Sequence, residues 1–256
     1  MSRIIGVLNY KGGTGKTTTV VNLAVGLALR GARVLCVDLD AQSGLATYFG
    51  IKYRYSLVDL LLDRADLQTC ITPVRDKLDL IPCDNSLIQA ESALWRMRDE
   101  NMAYRVMVDK MKLLDGYDYV IIDHSPSLSL LSMSSLLYVR ELIVPVAMNY
   151  MALIGTRQVI ETLKTVSQVP DHHLRLSLIV PTFFFERYRK DREVMETLQR
   201  HFSGKVADPI RANVKLAEAP SYQMSIYEYA ARSSGAIDYA RLVERVVSNG
   251  ASSKVS

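Results

Sequence analysis

The sequence reads as an α/β protein built on an open, mostly parallel twisted sheet with helices on both faces. Apolar β-branched runs alternate with helix-length segments of 3.6-residue periodicity. Several runs are apolar at consecutive positions, which marks strands covered on both sides. A glycine-rich turn joins the first run to the first long periodic segment, as in a sheet whose ligand crevice opens at the strand ends.

Residues 4–8 form the first predicted strand, and the periodic segment 17–29 behind the turn is a helix that Gly31 can close as a left-handed residue. A strand at 33–37, a short helix at 57–62, a strand at Leu78–Ile81 and a pair of helices across 87–114 follow. The later half alternates more regularly: strand 119–122, helix 130–139, strand 142–146, helix 154–166 and strand 176–180. A helix at 191–201, an extended piece near 205–207 and a helix at 237–247 complete the pattern. No repeat, low-complexity tract or linker divides the chain. Residues 1–247 are therefore expected to form one domain, and the polar stretch 248–256 a disordered tail.

Composition narrows the classes. With 256 residues, 49% of them hydrophobic, the chain can bury a large core. Its apolar stretches fall short of the roughly 20 residues that span a membrane. It opens on Arg3-Ile4-Ile5-Gly6-Val7-Leu8 with no basic leader or apolar signal core, so a cytoplasmic protein is expected. Cys36, Cys70 and Cys83 form no C-x-x-C pair, which speaks against a disulfide framework and a zinc site. The formal charge of +4 is local: nine Lys/Arg face five Asp/Glu between Arg175 and Lys215, and elsewhere the signs balance at 22 each.

The chemistry concentrates at Lys11-Gly12-Gly13-Thr14-Gly15-Lys16-Thr17, between a strand and a helix. A phosphate needs inward-pointing backbone N–H groups, and glycines let the chain approach it closely. Lys16 is placed to neutralise β/γ-phosphates and Thr17 to offer its hydroxyl to Mg²⁺, while the helix presents its positive end to the anion. Tyr10 stands where the common P-loop pattern has its first glycine, and a second lysine, Lys11, appears instead. Asp38 and Asp40 end the second strand and Asp123 ends the run Tyr119-Val120-Ile121-Ile122, so three carboxylates are expected around the metal and the attacking water.

These motifs resemble the ParA/MinD group of deviant Walker-box P-loop ATPases, and within it the small ParA/Soj-type partition proteins. The likeness spans nearly the whole chain. It rests on Lys11 to Thr18, on Asp38-Leu39-Asp40-Ala41-Gln42, on Asp123-His124-Ser125-Pro126-Ser127, and on Asn213-Val214-Lys215-Leu216-Ala217-Glu218-Ala219-Pro220-Ser221 followed by Glu228-Tyr229 and Arg232-Ser233. The resemblance implies an ATPase that uses ATP and Mg²⁺, with Gly12, Gly13, Thr14, Gly15, Lys16, Thr17 and Thr18 around the nucleotide. Lys11 would be the signature lysine, reaching across a nucleotide-sandwich homodimer to the partner's phosphates. Asp40 would position water, Thr17, Asp40 and Asp123 would serve the metal, and Pro209 and Arg211 would lie beside the adenine. Ala41, Ser125, Asn149 and Arg211-Ala212 depart from the usual family residues.

The resemblance further implies non-specific DNA binding by phosphate contacts, which carry affinity without reading bases. Arg187, Arg189 and Lys190, with Lys215 and Arg232, are the candidate surface. The expected activity is a nucleoid-associated positioning ATPase with a ParB-like or other adaptor, its cargo a plasmid, a chromosome or a large assembly such as a carboxysome. A MinD-like membrane ATPase is the alternative. The polar residues after 247 argue against a stable membrane anchor. A nitrogenase-iron-protein-like role would need cysteines placed at a dimer interface, and those here are not.

Overall fold

The computed structural model describes residues 2–96, 100–112, 114–170 and 172–252. The first half of the chain gives β1 (Arg3–Val7), α1 (Lys16–Leu29), β2 (Val34–Leu39), α2 (Gly44–Phe49), α3 (Leu57–Leu61), α4 (Leu67–Cys70), β3 (Thr72–Arg75), β4 (Leu78–Ile81), α5 (Leu87–Trp95) and α6 (Glu100–Met111). The second half gives β5 (Tyr119–His124), α7 (Leu130–Tyr138), β6 (Glu141–Ala147), α8 (Tyr150–Val166), β7 (Arg175–Thr182), α9 (Arg189–His201), α10 (Val214–Glu218), α11 (Ile226–Ala230) and α12 (Ser234–Ser252).

Among the described residues the strands form one seven-stranded sheet in the order β3-β4-β2-β5-β1-β6-β7. Every pairing is parallel except β3 with β4. Side chains alternate across it, and each face builds its own core. Ile5, Val7, Val34, Cys36 and Ile121 pack under α1, α2, α11 and α12. Leu35, Val37, Val120, Ile122, Leu142 and Val144 pack under α3 to α9. Each such side chain taken fully out of water is worth about 1.5–3 kcal/mol. On the first face α12 lies directly on α1: a Cβ on Gly26 would stand 2.6 Å from Val243 Cγ2.

The structure departs from the sequence reading at several elements. The antiparallel edge strand β3 was not expected, because Thr72-Pro73-Val74-Arg75 is short and half-exposed, and proline is tolerated at an edge. The piece near 205–207 makes only an isolated bridge, Val206 with Ile179. Helices α2, α4, α10 and α11 are four to six residues long, too short for periodicity to register. Strands β2 and β5 run to Leu39 and His124, so Asp38 and Asp123 lie within the last strand residues. Helix α12 continues through Ser252, so 248–252 is helical where a disordered tail was predicted. Residues 253–256 of that tail, and 97–99 and 113 of the predicted helical pair, lie outside the described residues.

Candidate functional site

Because β1, β2, β5, β6 and β7 run parallel, their carboxyl ends share one edge of the sheet. The loop leaving β1 turns into α1 through Gly13 (φ 70°) and Gly15 (φ 84°), in the left-handed region that only glycine enters freely. Gly12 and Gly13 face open space: a Cβ on either would meet nothing within 4 Å. Gly15 caps α1 without a side chain, which leaves the first-turn N–H groups available to an anion.

Neighbouring strands hold the loop in place. Asn9 accepts the Lys11 backbone N–H at 3.0 Å on Oδ1 and donates through Nδ2 to the Pro145 carbonyl at 2.7 Å. Thr182, at the end of β7, donates to the Thr14 carbonyl at 2.9 Å. Thr14 is buried, while Thr17 and Thr18 are half-buried at the start of α1. The Lys16 ammonium, in a residue only 8% exposed, donates to the Lys11 carbonyl at 3.3 Å. Burial lowers its pKa, and Asp123 and Asp40 nearby raise it in part. Lys11 donates its ammonium to Asn149 Oδ1 at 3.1 Å, at the end of β6.

Asp38 and Asp123 stand in register on adjacent strands, both facing α1. Asp38 accepts the N–H of Asp40 on Oδ1 and of Leu45 on Oδ2, each at 3.0 Å. Burial, with the Asp123 charge alongside, raises its pKa well above the carboxylate range. Asp123 is 1% exposed, and among the described residues neither of its oxygens makes a hydrogen bond of normal geometry, the nearby Thr17 hydroxyl included. Burial pushes its pKa up to about 7, although Thr17 and Lys16 work in the opposite direction. Asp40 is half-buried and accepts the Gln42 N–H at 3.0 Å. An unsatisfied buried carboxylate beside a lysine and a threonine hydroxyl fits a hydrated Mg²⁺, which keeps its waters and takes few protein ligands. Among the described residues no three His, Cys, Asp or Glu side chains gather into an all-protein metal cage.

A mostly apolar cavity of about 240 Å³ continues from the loop, lined by Gly15, Thr18, Phe183, Ile210, Leu216 and Tyr239 among others. Arg211 is at its rim, its guanidinium on Asp238 through Nε (2.9 Å) and Nη2 (2.7 Å). Pro209 is half-buried and not among the lining residues. Phe183, 50% exposed, has a φ of 55°, unusual for a side-chain-bearing residue. Sequence reasoning missed Asn9, Phe183, Thr182 and Tyr239. Thr182 ends an apolar strand as Asp123 does, and the same strand-end argument identifies it.

The predicted basic residues occupy the surface beyond this cavity. Arg187, Arg189 and Lys190 are exposed at the start of α9, with Arg189 on Glu193 at 2.7 Å. Lys215 pairs with Glu218 at 2.8 Å, and Arg232 is exposed ahead of α12. Arg187, Arg192 and Arg211 line one shallow groove of about 500 Å³ together with Ser234. Among the described residues no helix is long and apolar enough to cross a membrane.

Known proteins with related sequences place this geometry in a family. A family model described as an AAA domain matches residues 2–176. The sporulation initiation inhibitor protein Soj of Bacillus subtilis is 35% identical over 255 residues, covering 98% of this chain and all of that protein. The chromosome-partitioning ATPase Soj of Thermus thermophilus is 37% identical over 246 residues, covering 96% of this chain and 95% of its own. Among solved structures, cobyrinic acid a,c-diamide synthase from Mycobacterium smegmatis, with a bound ATP analog and magnesium, superposes with a TM-score of 0.82 at 28% identity, covering 96% of this chain and 95% of that one. The chain therefore belongs to the AAA-domain family of P-loop ATPases, among its ParA/Soj-type members.

Proposed function

We propose that this chain is a positioning ATPase that binds MgATP at the Lys11–Thr18 loop, dimerises on ATP, holds DNA non-specifically as a dimer, and is released when an adaptor of the ParB kind stimulates hydrolysis. The observation that carries the reading is Asp123: a buried carboxylate without a partner, beside Lys16 and Thr17 and next to a loop of open N–H groups. The names of the related Soj proteins support chromosome partition as the process served. A plasmid or a large protein assembly is the other cargo class.

In this reading the backbone of Gly12, Gly13, Thr14 and Gly15 cradles the phosphates, and Lys16 neutralises the β/γ-oxygens. The Thr17 hydroxyl and the carboxylates of Asp123 and Asp40 would hold Mg²⁺, whose charge stabilises the phosphoryl group in flight. Asp40 orients the attacking water, and Thr18 with the Phe183–Arg211 cavity receives the base. Lys11 is held by a neutral amide rather than a carboxylate, so little opposes its transfer to the phosphates of a second copy. The three cysteines are buried and free, which leaves none for a bridging cluster. The apolar side of α12, with Ala236, Tyr239, Leu242, Val243 and Val246, is packed in the core, which disfavours the MinD-like reading with α12 as membrane anchor.

Lys11→Ala is the test. The variant should bind ATP as a monomer and fail to dimerise with a slowly hydrolysed analogue in sedimentation. A dimer of that variant overturns the role of Lys11 across the interface, and wild-type protein that binds no nucleotide overturns the ATP reading.

A further inference from the structure

The turn between β7 and α9 carries a feature that phosphate binding alone does not use. Phe185 and Tyr188 are large apolar rings left 38% and 40% exposed, with centroids 4.9 Å apart and planes tilted by 39°. Two cations flank the same tyrosine: the Arg187 guanidinium lies 5.5 Å and the Lys190 ammonium 5.7 Å from its centroid. This arrangement is held rigidly. The buried Asp191 carboxylate accepts the Phe185 N–H at 2.8 Å, and the Tyr188 N–H donates to the Phe185 carbonyl at 2.9 Å. The groove of about 500 Å³ beside the rings is lined by Phe185, Arg187, Arg192 and Arg211.

A solvated helix face needs charge but no exposed aromatic pair, and a rigid turn that keeps two rings in water loses hydrophobic stabilisation it could have had by burying them. Aromatic rings set among arginines beside a groove match the requirements of an unpaired nucleic-acid strand: π-faces for its bases and cations for its phosphates. Duplex DNA hides its bases, so it would use the cations alone.

We propose that Phe185 and Tyr188 form a stacking platform for unpaired bases, with Arg187 and Arg192 along the strand's phosphates. The platform adjoins Arg187, Arg189 and Lys190, expected above to meet DNA, and the proposal rests on that reading while adding a second, single-stranded mode to it.

The test titrates the ATP-loaded full chain with fluorescent oligo(dT) and, separately, with a random duplex of equal length. Phe185→Ala with Tyr188→Ala should weaken oligo(dT) binding roughly tenfold or more and leave duplex affinity within about twofold. Tyr188→Trp keeps a ring and should hold or tighten oligo(dT) binding, which separates lost stacking from a damaged fold. Arg187→Glu with Lys190→Glu should weaken both ligands. Unchanged oligo(dT) affinity in the double alanine variant, an equal loss for both ligands, or a loss with Tyr188→Trp overturns the platform. Wild-type protein that binds duplex but not oligo(dT) overturns it too and leaves the DNA reading standing; binding of neither overturns the DNA reading with it.

Discussion

Strands β2 and β5 each bring an aspartate to the same level of the sheet, and the two carboxylates are treated differently by the fold. Asp38 is fully buried and satisfied, since two backbone N–H groups of the following turn end on its oxygens. Its work is local: it bends the chain from β2 toward α2 and fixes Asp40 at the mouth of the site. Asp123 is just as buried and, among the described residues, has no hydrogen-bond partner. An unpaired carboxylate away from water costs several kcal/mol, and a fold keeps such a group where a ligand completes it. Burial and position are alike in the two strands; hydrogen-bond satisfaction separates the structural acid from the one proposed to meet the metal.

The contrast is tested hardest by deleting each carboxylate in turn. Asp123→Ala should leave a folded protein whose magnesium-dependent ATP turnover is down by about a hundredfold or more, the loss expected when one preorganised charge around a phosphoryl transfer is removed. Steady-state phosphate release with magnesium present measures it. Turnover above a tenth of wild type would make Asp123 as structural as Asp38.

Asp38→Ala should act on the fold instead. The buried N–H of Leu45 and the half-buried N–H of Asp40 lose their acceptor, and a buried group left unsatisfied costs about 1–3 kcal/mol. A loss of roughly 1–3 kcal/mol in urea unfolding is expected, partly relieved because water reaches the Asp40 N–H and because the burial cost that raises the Asp38 pKa goes with the carboxylate. A loss below about 1 kcal/mol would show that the turn holds without the carboxylate.

The same contrast explains what could be read from the sequence. The phosphate loop was legible because its function is contiguous: Lys11 to Thr17 carry glycines, cations and a helix start in unbroken order. Asp123 and Asp38 were legible as acids ending apolar runs, yet nothing in the sequence distinguishes the satisfied one from the orphan, because the partners of Asp38 are backbone groups set by the turn. Of the cavity proposed to take the base, Gly15, Thr18 and Arg211 were legible. Phe183 follows β7, Ile210 lies between α9 and α10, and Leu216 and Tyr239 belong to α10 and α12; tertiary contacts bring them together, the Ile210 N–H donating to the Pro181 carbonyl at 2.8 Å and α12 packing on α1. Strand β3 and helices α2, α4, α10 and α11 went unread because elements that short are stabilised by tertiary contacts rather than by a pattern of their own.

A pH-dependent prediction bears most directly on the contrast. The folded-state pKa of Asp123 is raised to about 7 by burial, whereas an unfolded aspartate titrates near 3.9. Between those values the native chain holds a proton that the unfolded chain has released, so Asp123 makes stability fall as pH rises, with the full cost present above the folded pKa. Asp123→Asn removes the ionisation and keeps the shape. In magnesium- and nucleotide-free buffer the variant should be more stable than wild type at pH 8, and the gain should shrink toward zero near pH 4. Asp38 shares part of this, since the Asp123 charge helps to raise its pKa and that pressure also goes when Asn replaces Asp123. Urea unfolding of both proteins across that range reads the difference. A variant equal to wild type at pH 8, or less stable, would mean that the β5 carboxylate is already satisfied in the nucleotide-free fold, as the β2 carboxylate is.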